Sequence, residues 1–145
     1  MNNLIQRILT GSVYVSLMLL ATTKPLYIGI LLLLVAIVST FEFKKIAVKQ
    51  NVQFDLYSTI TLGTLTYASI LYAELRGLFF FAVLIYFINQ LYRPTKNAIH
   101  LLGSTFFSLI YLYLPLALII PIGLQSGSYE YKTIFGLLIL IWASD

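Results

Sequence analysis

The chain has 145 residues, of which 60% are hydrophobic, 15% aromatic and only 10% charged, whereas soluble domains carry about 25% charged residues. Its mean hydropathy is +0.93, its net charge is +4, and it contains no cysteine. A soluble domain of this size buries only about two-thirds of its unfolded surface, so the composition excludes a soluble enzyme, a disordered tail, a disulfide scaffold and a nucleic-acid binder. A polytopic membrane protein remains.

Six apolar runs follow one another along the chain, separated by short charged or Pro- and Gly-containing segments. They span residues 4–21, 26–43, 56–73, 78–92, 98–122 and 133 onwards. The runs lack the apolar–polar alternation of barrel strands, so each predicts a helix. We therefore expect an all-α transmembrane bundle of about six spans, forming one domain over residues 1–145. Two of the runs, 26–43 and 78–92, are short for a helix that needs about 20 residues to cross a bilayer.

The distribution of Lys and Arg predicts the orientation of these spans. Six spans divide the cationic residues into two sets: Arg7, Lys44, Lys45, Lys49, Arg93 and Lys96 on the N-terminal side, and Lys24, Arg76 and Lys132 on the other. Because cytoplasmic loops carry the excess of Lys and Arg, the N-terminus is predicted to be cytoplasmic. The sixth run then returns to the cytoplasmic face at Asp145.

The last run is still apolar when it reaches Asp145, and no Lys or Arg anchor follows it. A carboxylate at the C-terminal end of a helix also opposes the helix dipole. We therefore expect the sequence to be a truncated piece of a longer protein.

Asp145 is the first candidate for a catalytic residue. A carboxylate directly after an apolar helix can hold Mg²⁺ or orient a phosphate-bearing ligand; the alternative is a terminal acid at the lipid–water boundary. Glu42 could be a buried acid facing a polar cavity, but a helix-end ion pair with Lys45 or Lys49 is favoured. Together with Lys44, these lysines could attract anionic lipid head groups or act only as topology signals.

Three further features have both a functional and a structural interpretation. Thr59, Gly63, Thr66 and Ile70 fall on one helical face, which favours close helix packing over a polar substrate pathway. His100 is the only histidine, and interfacial hydrogen bonding is favoured over catalysis or metal binding. The sequence predicts that two prolines, Pro115 and Pro121, bend or end the fifth helix, which could shape a cavity or only permit packing. Glu74 and Arg76 flank a tight turn and are expected to be solvated.

No complete phosphoryl-transfer site is recognisable in the sequence. It has no phosphate-binding Gly-x-x-x-x-Gly-Lys-Ser/Thr loop, no dinucleotide fingerprint and no His-Glu-x-x-His. Its five acidic residues are spread along the chain, and no two have the spacing of a metal pair.

Four segments, taken in order, resemble the phosphatidate cytidylyltransferase (CDP-diacylglycerol synthase) family. Residues 7–11, Arg-Ile-Leu-Thr-Gly, resemble the family's opening segment, and residues 41–43, Phe-Glu-Phe, resemble its Glu with aromatic neighbours after the second span. Residues 103–116 are similar to its Gly…Tyr-x-x-x-Pro-Leu span. Residues 142–145, Trp-Ala-Ser-Asp, are similar to the start of its Trp-x-x-Asp-x-x-Ala-Tyr-x-x-Gly motif. The resemblance covers the N-terminal half of a family member.

The resemblance implies a bacterial inner-membrane enzyme of phospholipid biosynthesis that uses phosphatidate and CTP as substrates and Mg²⁺ as cofactor. Only Asp145 is carried over as a site residue. The remaining motifs of the family, which hold most of the CTP, metal and phosphate contacts, are missing, so we expect these residues alone to be inactive. The alternatives are a non-catalytic membrane module or transporter fragment, and a related CTP-dependent polyprenol or lipid kinase.

Overall fold

The computed structural model describes residues 3–92, 98–125 and 127–144, and it contains no strand in these ranges. The seven α-helices in the described ranges are α1 Asn3–Ala21, α2 Pro25–Lys49, α3 Leu56–Leu71, α4 Arg76–Tyr92, α5 Ala98–Ser108, α6 Leu114–Gly123 and α7 Tyr131–Ser144. A 3₁₀ turn, Ala73–Leu75, precedes α4, and a π turn, Leu109–Tyr113, joins α5 to α6. The prediction of an all-α fold with a helix in each apolar run is confirmed.

Within the described ranges, three helical stretches are long and apolar enough to cross a membrane. They are Pro25–Lys49 with 25 residues, Ala73–Tyr92 with 20 and Ala98–Gly123 with 26. The first two correspond to the runs that looked short in the sequence. The apolar helices Gly11–Ala21 and Tyr131–Ala143 are shorter, and α3 has 16 residues. Three membrane-length helices are therefore established.

Helix α2 extends six residues beyond the apolar run that predicted it. Lys and Ala are good helix formers, so the segment with Lys44, Lys45 and Lys49 continues the helix instead of forming a loop. The helix ends where Asn51 adopts a positive φ of 57°, a conformation that Asn tolerates at helix ends. The Val52 N–H bonds to the Ala47 carbonyl at 2.9 Å, which completes this Schellman-type end and reverses the chain towards α3.

Helix α3 begins at a carboxylate cap. The Asp55 side chain accepts hydrogen bonds from the Ser58 N–H at 3.2 Å and from the Ser58 hydroxyl at 2.8 Å. Such a cap satisfies backbone donors that the first helical turn leaves without partners. The short connection from α2 to α3 is thus fixed at both ends.

The chain forms two compact units, one of residues 1–31 with 119–145 and the other of residues 32–118. In the first unit the Tyr129 hydroxyl donates to the Thr22 carbonyl at 2.7 Å, and burial raises the pKa of this hydroxyl. Gly123 lies against Ile134, whose Cδ1 would be only 2.7 Å from a Cβ at position 123. These contacts fix the loop before α7 within its unit.

Candidate functional site

Within the second unit, Tyr113 lies in the centre of a polar contact between helices. Its side chain is fully buried, and its hydroxyl lies 3.0 Å from the Thr40 hydroxyl. Because Thr40 donates its own proton to the Ala36 carbonyl at 2.9 Å, Tyr113 is the donor of this bond. Gly63 faces the Tyr113 ring, and any Cβ at that position would overlap ring atoms Cε2 and Cζ. The ring therefore fits only because position 63 has no side chain.

The π turn brings Tyr113 to this position. The Leu114 N–H bonds to the Leu109 carbonyl. This spacing of five residues gives the turn one residue more than an α-helical turn and makes the helix wider there. Single π turns inside α-helices occur frequently at functional sites. Pro115 is the second residue after the turn, so its missing N–H falls beside the point where the α-helical pattern is already interrupted.

A second polar contact joins α3, α4 and α5. The Thr105 hydroxyl lies 2.9 Å from the Tyr86 hydroxyl and 3.3 Å from the Thr59 hydroxyl. One turn after Tyr86, the Gln90 side chain is only 1% exposed. Its Oε1 has no hydrogen-bond partner among the described residues. A buried acceptor without a donor costs free energy in an apolar environment. The C-terminal end of α4 therefore carries a polar group that destabilises the fold unless it has a partner outside the described residues.

An open apolar groove of about 520 Å³ runs between the C-terminal part of α2 and the first part of α5. Its lining consists of Phe43, Ile46, Ala47, Gln50, Val52, Ile99, His100, Gly103, Ser104 and Phe107. One wall is stabilised by aromatic stacking: the Phe43 and Phe107 rings lie 5.7 Å apart with an interplanar angle of 22°. At one end the Ser104 hydroxyl donates to the Gln53 carbonyl at 3.0 Å. The volume lies in the range of small-molecule sites, about 300–1,000 Å³.

The candidates from the sequence fall in different places. Asp145 lies outside the described residues. Glu42 accepts a hydrogen bond from Lys45 at 3.2 Å, with both side chains about two-thirds exposed, so the favoured interpretation as a helix-end ion pair is confirmed. Lys44 is half-buried and Lys49 is exposed. Glu74 and Arg76 are exposed at their turn, as expected.

The packing face of α3 is confirmed. Thr59, Gly63 and Thr66 are buried, and Ile70 is partly buried. The hydroxyls of this helix bond to its own backbone: Thr59 to the Asp55 carbonyl, Thr61 to Tyr57, Thr64 to Ile60 and Thr66 to Leu62. Hydroxyls that are satisfied in this way do not offer a polar pathway for a substrate.

His100 is exposed at the mouth of the groove, in the first turn of α5. In the ranges that the structure describes, no three His, Cys, Asp or Glu residues lie close enough to hold a metal ion. The described residues therefore do not fit the Mg²⁺ that the resemblance implies. Pro115 is the second residue of α6, and Pro121 lies inside the same helix, which ends two residues later at Gly123.

Sequence reasoning missed the partners of the buried polar residues. The available signal for these contacts was the presence of polar residues within otherwise apolar helices, namely Thr40, Tyr86, Gln90 and Thr105. Their pairing depends on which faces of separate helices meet, and a single sequence does not contain that information.

Comparisons of the chain with protein-family models, with curated proteins and with solved structures found no match. Its function is therefore inferred from its own residues and their geometry.

Proposed function

We propose that the chain is the N-terminal membrane part of a phosphatidate cytidylyltransferase-like enzyme. In this proposal the helices form a bundle of about six spans with a cytoplasmic N-terminus, in a bacterial inner membrane. The three membrane-length helices support the membrane placement.

One observation carries the proposal. Two of the segments that resemble the family, residues 41–43 and 103–116, lie far apart in the chain but contact each other in the fold. The Phe43 ring stacks on Phe107, and the residue before the first segment, Thr40, bonds to Tyr113 in the second. Segments that serve one site are expected to meet in this way, and the groove lies beside their contact.

The proposed reaction is a nucleotidyl transfer. A phosphate oxygen of phosphatidate forms a bond to the α-phosphorus of CTP, the bond between the α-phosphorus and the bridging oxygen to the β-phosphate breaks, and pyrophosphate leaves. Such transfers depend on positioning and on neutralising phosphate charge. The described residues supply neither a metal site nor a nucleotide loop, so we assign no step to them. Asp145 is proposed as the one residue of this machinery in the chain.

The transporter alternative loses its main support in the fold. It depended on the Ser and Thr residues of α3 as a permeation face, but these hydroxyls bond to their own helix backbone and the face is packed. The kinase alternative uses the same nucleotide and is separated by which phosphate of CTP reaches the lipid.

The test compares two kinds of membrane. One contains residues 1–145, and the other contains a longer protein whose gene also includes the region that follows the Asp145 codon in the genome. CTP is labelled at the α-phosphate in one reaction, with phosphatidate as acceptor, and at the γ-phosphate in a parallel one, with a polyprenol or diacylglycerol as the hydroxyl acceptor. We expect α-label in the lipid from the extended protein and none from residues 1–145. A matched extended variant, Asp145→Asn, is expected to lose at least about 100-fold in rate, as is common when a group that stabilises charge is removed.

Three results would contradict the proposal. Transfer of the γ-label to lipid would identify a kinase. Robust turnover by residues 1–145 alone would show that the missing motifs are not needed. An extended protein that transfers neither label would leave the enzyme assignment without basis.

A further inference from the structure

Two loops meet at one end of the first unit. One joins α1 to α2 and the other joins α6 to α7. The Tyr129 hydroxyl in the second loop donates to the Thr22 carbonyl in the first at 2.7 Å. We define the loop end of this unit as residues 22–27, 124–125 and 127–132. Because two helices end here and two begin here, the side chains of the loop end lie together at one end of the unit.

The loop end exposes cationic, aromatic and aliphatic side chains together. The exposed side chains of these three types are Lys24, Leu26, Tyr27, Leu124, Tyr131 and Lys132. The Lys24 Nζ lies 5.4 Å from the centre of the Tyr27 ring, a distance at which an aromatic face attracts an ammonium group. The one ion pair between described residues is that of Lys45 with Glu42. The surroundings must therefore solvate the ammonium groups of the loop end.

This mixture of side chains matches neither bulk water nor the hydrocarbon core of a bilayer. In water, Leu26 with 63% exposure and Tyr131 with 53% would keep a large apolar area hydrated. In hydrocarbon, the lysine ammonium groups would lose their hydration at a high cost. The boundary between the two suits both kinds of side chain. Tyr rings are enriched there, and lysine stems cover apolar surface while their ammonium groups reach the headgroups and water.

We propose that the loop end is an anchor in the phospholipid headgroup layer. The Tyr27 and Tyr131 rings lie at the boundary of the hydrocarbon core, and the Lys24 and Lys132 ammonium groups lie among the phosphates. The partner is the headgroup layer as a whole, because every phospholipid carries the phosphate and no particular lipid is selected. On the proposed orientation this layer belongs to the non-cytoplasmic leaflet. The inference rests on the membrane placement in the proposed function and is independent of the transferase activity.

Helix α7 gives the proposal a depth that can be measured. At about 1.5 Å of rise for each residue, Phe135 lies about 6 Å and Trp142 about 16 Å along the helix from Tyr131. Half of the hydrocarbon core is about 15 Å thick. If Tyr131 lies at the boundary, Trp142 is therefore near the centre of the bilayer and Phe135 is in the upper part of the acyl chains.

The experiment measures the depth of single tryptophans by quenching of their fluorescence in phosphatidylcholine discs. Trp142 is the only tryptophan in the chain and is the deep reporter. Trp142→Phe combined with Tyr131→Trp gives a reporter at the loop end, and Trp142→Phe combined with Phe135→Trp gives one a helical turn below it. Both positions are exposed. The three quenchers are a nitroxide on the choline headgroup, bromine in the upper part of the acyl chain and bromine near its terminal methyl group.

We expect each reporter to have its own strongest quencher. The headgroup nitroxide should quench most strongly at position 131, the upper bromine at position 135 and the terminal bromine at Trp142. If iodide in the water quenches the reporter at position 131 and no lipid-borne quencher does, the loop end lies in water and the anchor is overturned. If no lipid-borne quencher reaches any reporter, Trp142 included, the membrane placement itself fails and the anchor fails with it. Quenching of Trp142 by bromine without the expected order of depths refutes the anchor alone.

Removal of the tyrosines tests whether their rings set this depth. Tyr27→Leu/Tyr131→Leu, combined with the reporter at position 135, replaces both rings with side chains that prefer hydrocarbon. We expect α7 to move inwards, so that quenching by the headgroup nitroxide decreases and quenching by the terminal bromine increases. The matched control is Tyr14→Leu. Tyr14 is 48% exposed, close to the 49% of Tyr27, but it lies in the middle of α1, so the quenching should not change.

Unchanged quenching in the double leucine variant would show that the two rings do not set the depth and would overturn the anchor. Circular dichroism checks that this variant keeps its helix content. If it does not, the order of depths of the three reporters, measured with both loop-end positions aromatic, decides the question.

Discussion

The contact between Gly63 and Tyr113 makes a quantitative prediction about packing. A Cβ at position 63 would overlap the Tyr113 ring, with Cδ2 at 2.6 Å as the least crowded of the three nearest atoms. The ring is fully buried and held by the bond to Thr40, so it has little room to move. Overpacking costs about 1–3 kcal/mol, and loss of the hydroxyl bond adds about 1 kcal/mol. The gain in helix propensity from Gly to Ala offsets about 1 kcal/mol, so Gly63→Ala should destabilise the protein by about 1–3 kcal/mol net.

The assay is reversible unfolding in mixed micelles with increasing sodium dodecyl sulfate, followed by circular dichroism. The matched control is Gly136→Ala, where a Cβ meets no atom within 4 Å, and there the change should be neutral or stabilising by about 0.5–1 kcal/mol. In the double variant Gly63→Ala/Tyr113→Leu the smaller side chain should relieve the overlap, so the two costs should not add. If Gly63→Ala and Gly136→Ala shift the unfolding midpoint in the same direction by similar amounts, the packing argument is refuted.

Three other sites allow similar measurements of the unfolding midpoint. Asp55→Ala should cost about 1 kcal/mol through loss of the α3 cap, and Asp55→Asn should retain most of it; equal losses would count against a capping role. Burial raises the pKa of the Tyr129 hydroxyl above its ordinary value of about 10. The contribution of this hydroxyl to the free energy of unfolding should therefore be complete below pH 10 and decrease as the pH rises further. Tyr129→Phe should remove this loss of stability at alkaline pH, and an unchanged pH profile would contradict the assignment. Gln90→Leu should stabilise the protein by about 1–2 kcal/mol, since it removes a buried acceptor that has no donor among the described residues. Destabilisation would instead show that the amide has a partner outside those residues.

Hydropathy was sufficient to predict the helices, because each apolar run must satisfy its backbone hydrogen bonds internally. It was less successful at their ends. The apolar run stopped at Phe43, whereas α2 continues to Lys49, since helix propensity does not depend on hydrophobicity. The short fourth run gained length from the 3₁₀ turn before it. In both cases the helix extends beyond its apolar run into a segment that contains polar residues, at the C-terminal end of α2 and before the N-terminal end of α4.

The candidate residues show the same contrast between what local sequence determines and what depends on contacts between distant segments. The spacing of Thr59, Gly63 and Thr66 on one face was visible in the sequence, because local periodicity determines it, and the packing prediction is confirmed. That Gly63 faces Tyr113 was not visible, because the contact joins α3 to a π turn fifty residues later. The groove was also not visible, since Gly103 and Phe43 each belong to unremarkable apolar runs. Contacts between distant segments require the register of two helices, which composition and periodicity leave open.

The wide turn at Leu109–Tyr113 has a consequence for how the chain tolerates changes in length. A π turn contains one residue more than the α-helical turn it replaces, so deleting one residue there would restore regular α-helix. The extra residue could therefore be lost without rotating the two flanking helices relative to each other, because five residues of a π turn cover about the same rotation as four of an α-helical turn. Deletion of one residue from α5 would instead rotate Tyr113 by about 100°, away from the notch at Gly63 and its bond to Thr40. Hydropathy would detect neither deletion, since the segment stays apolar and helical in both.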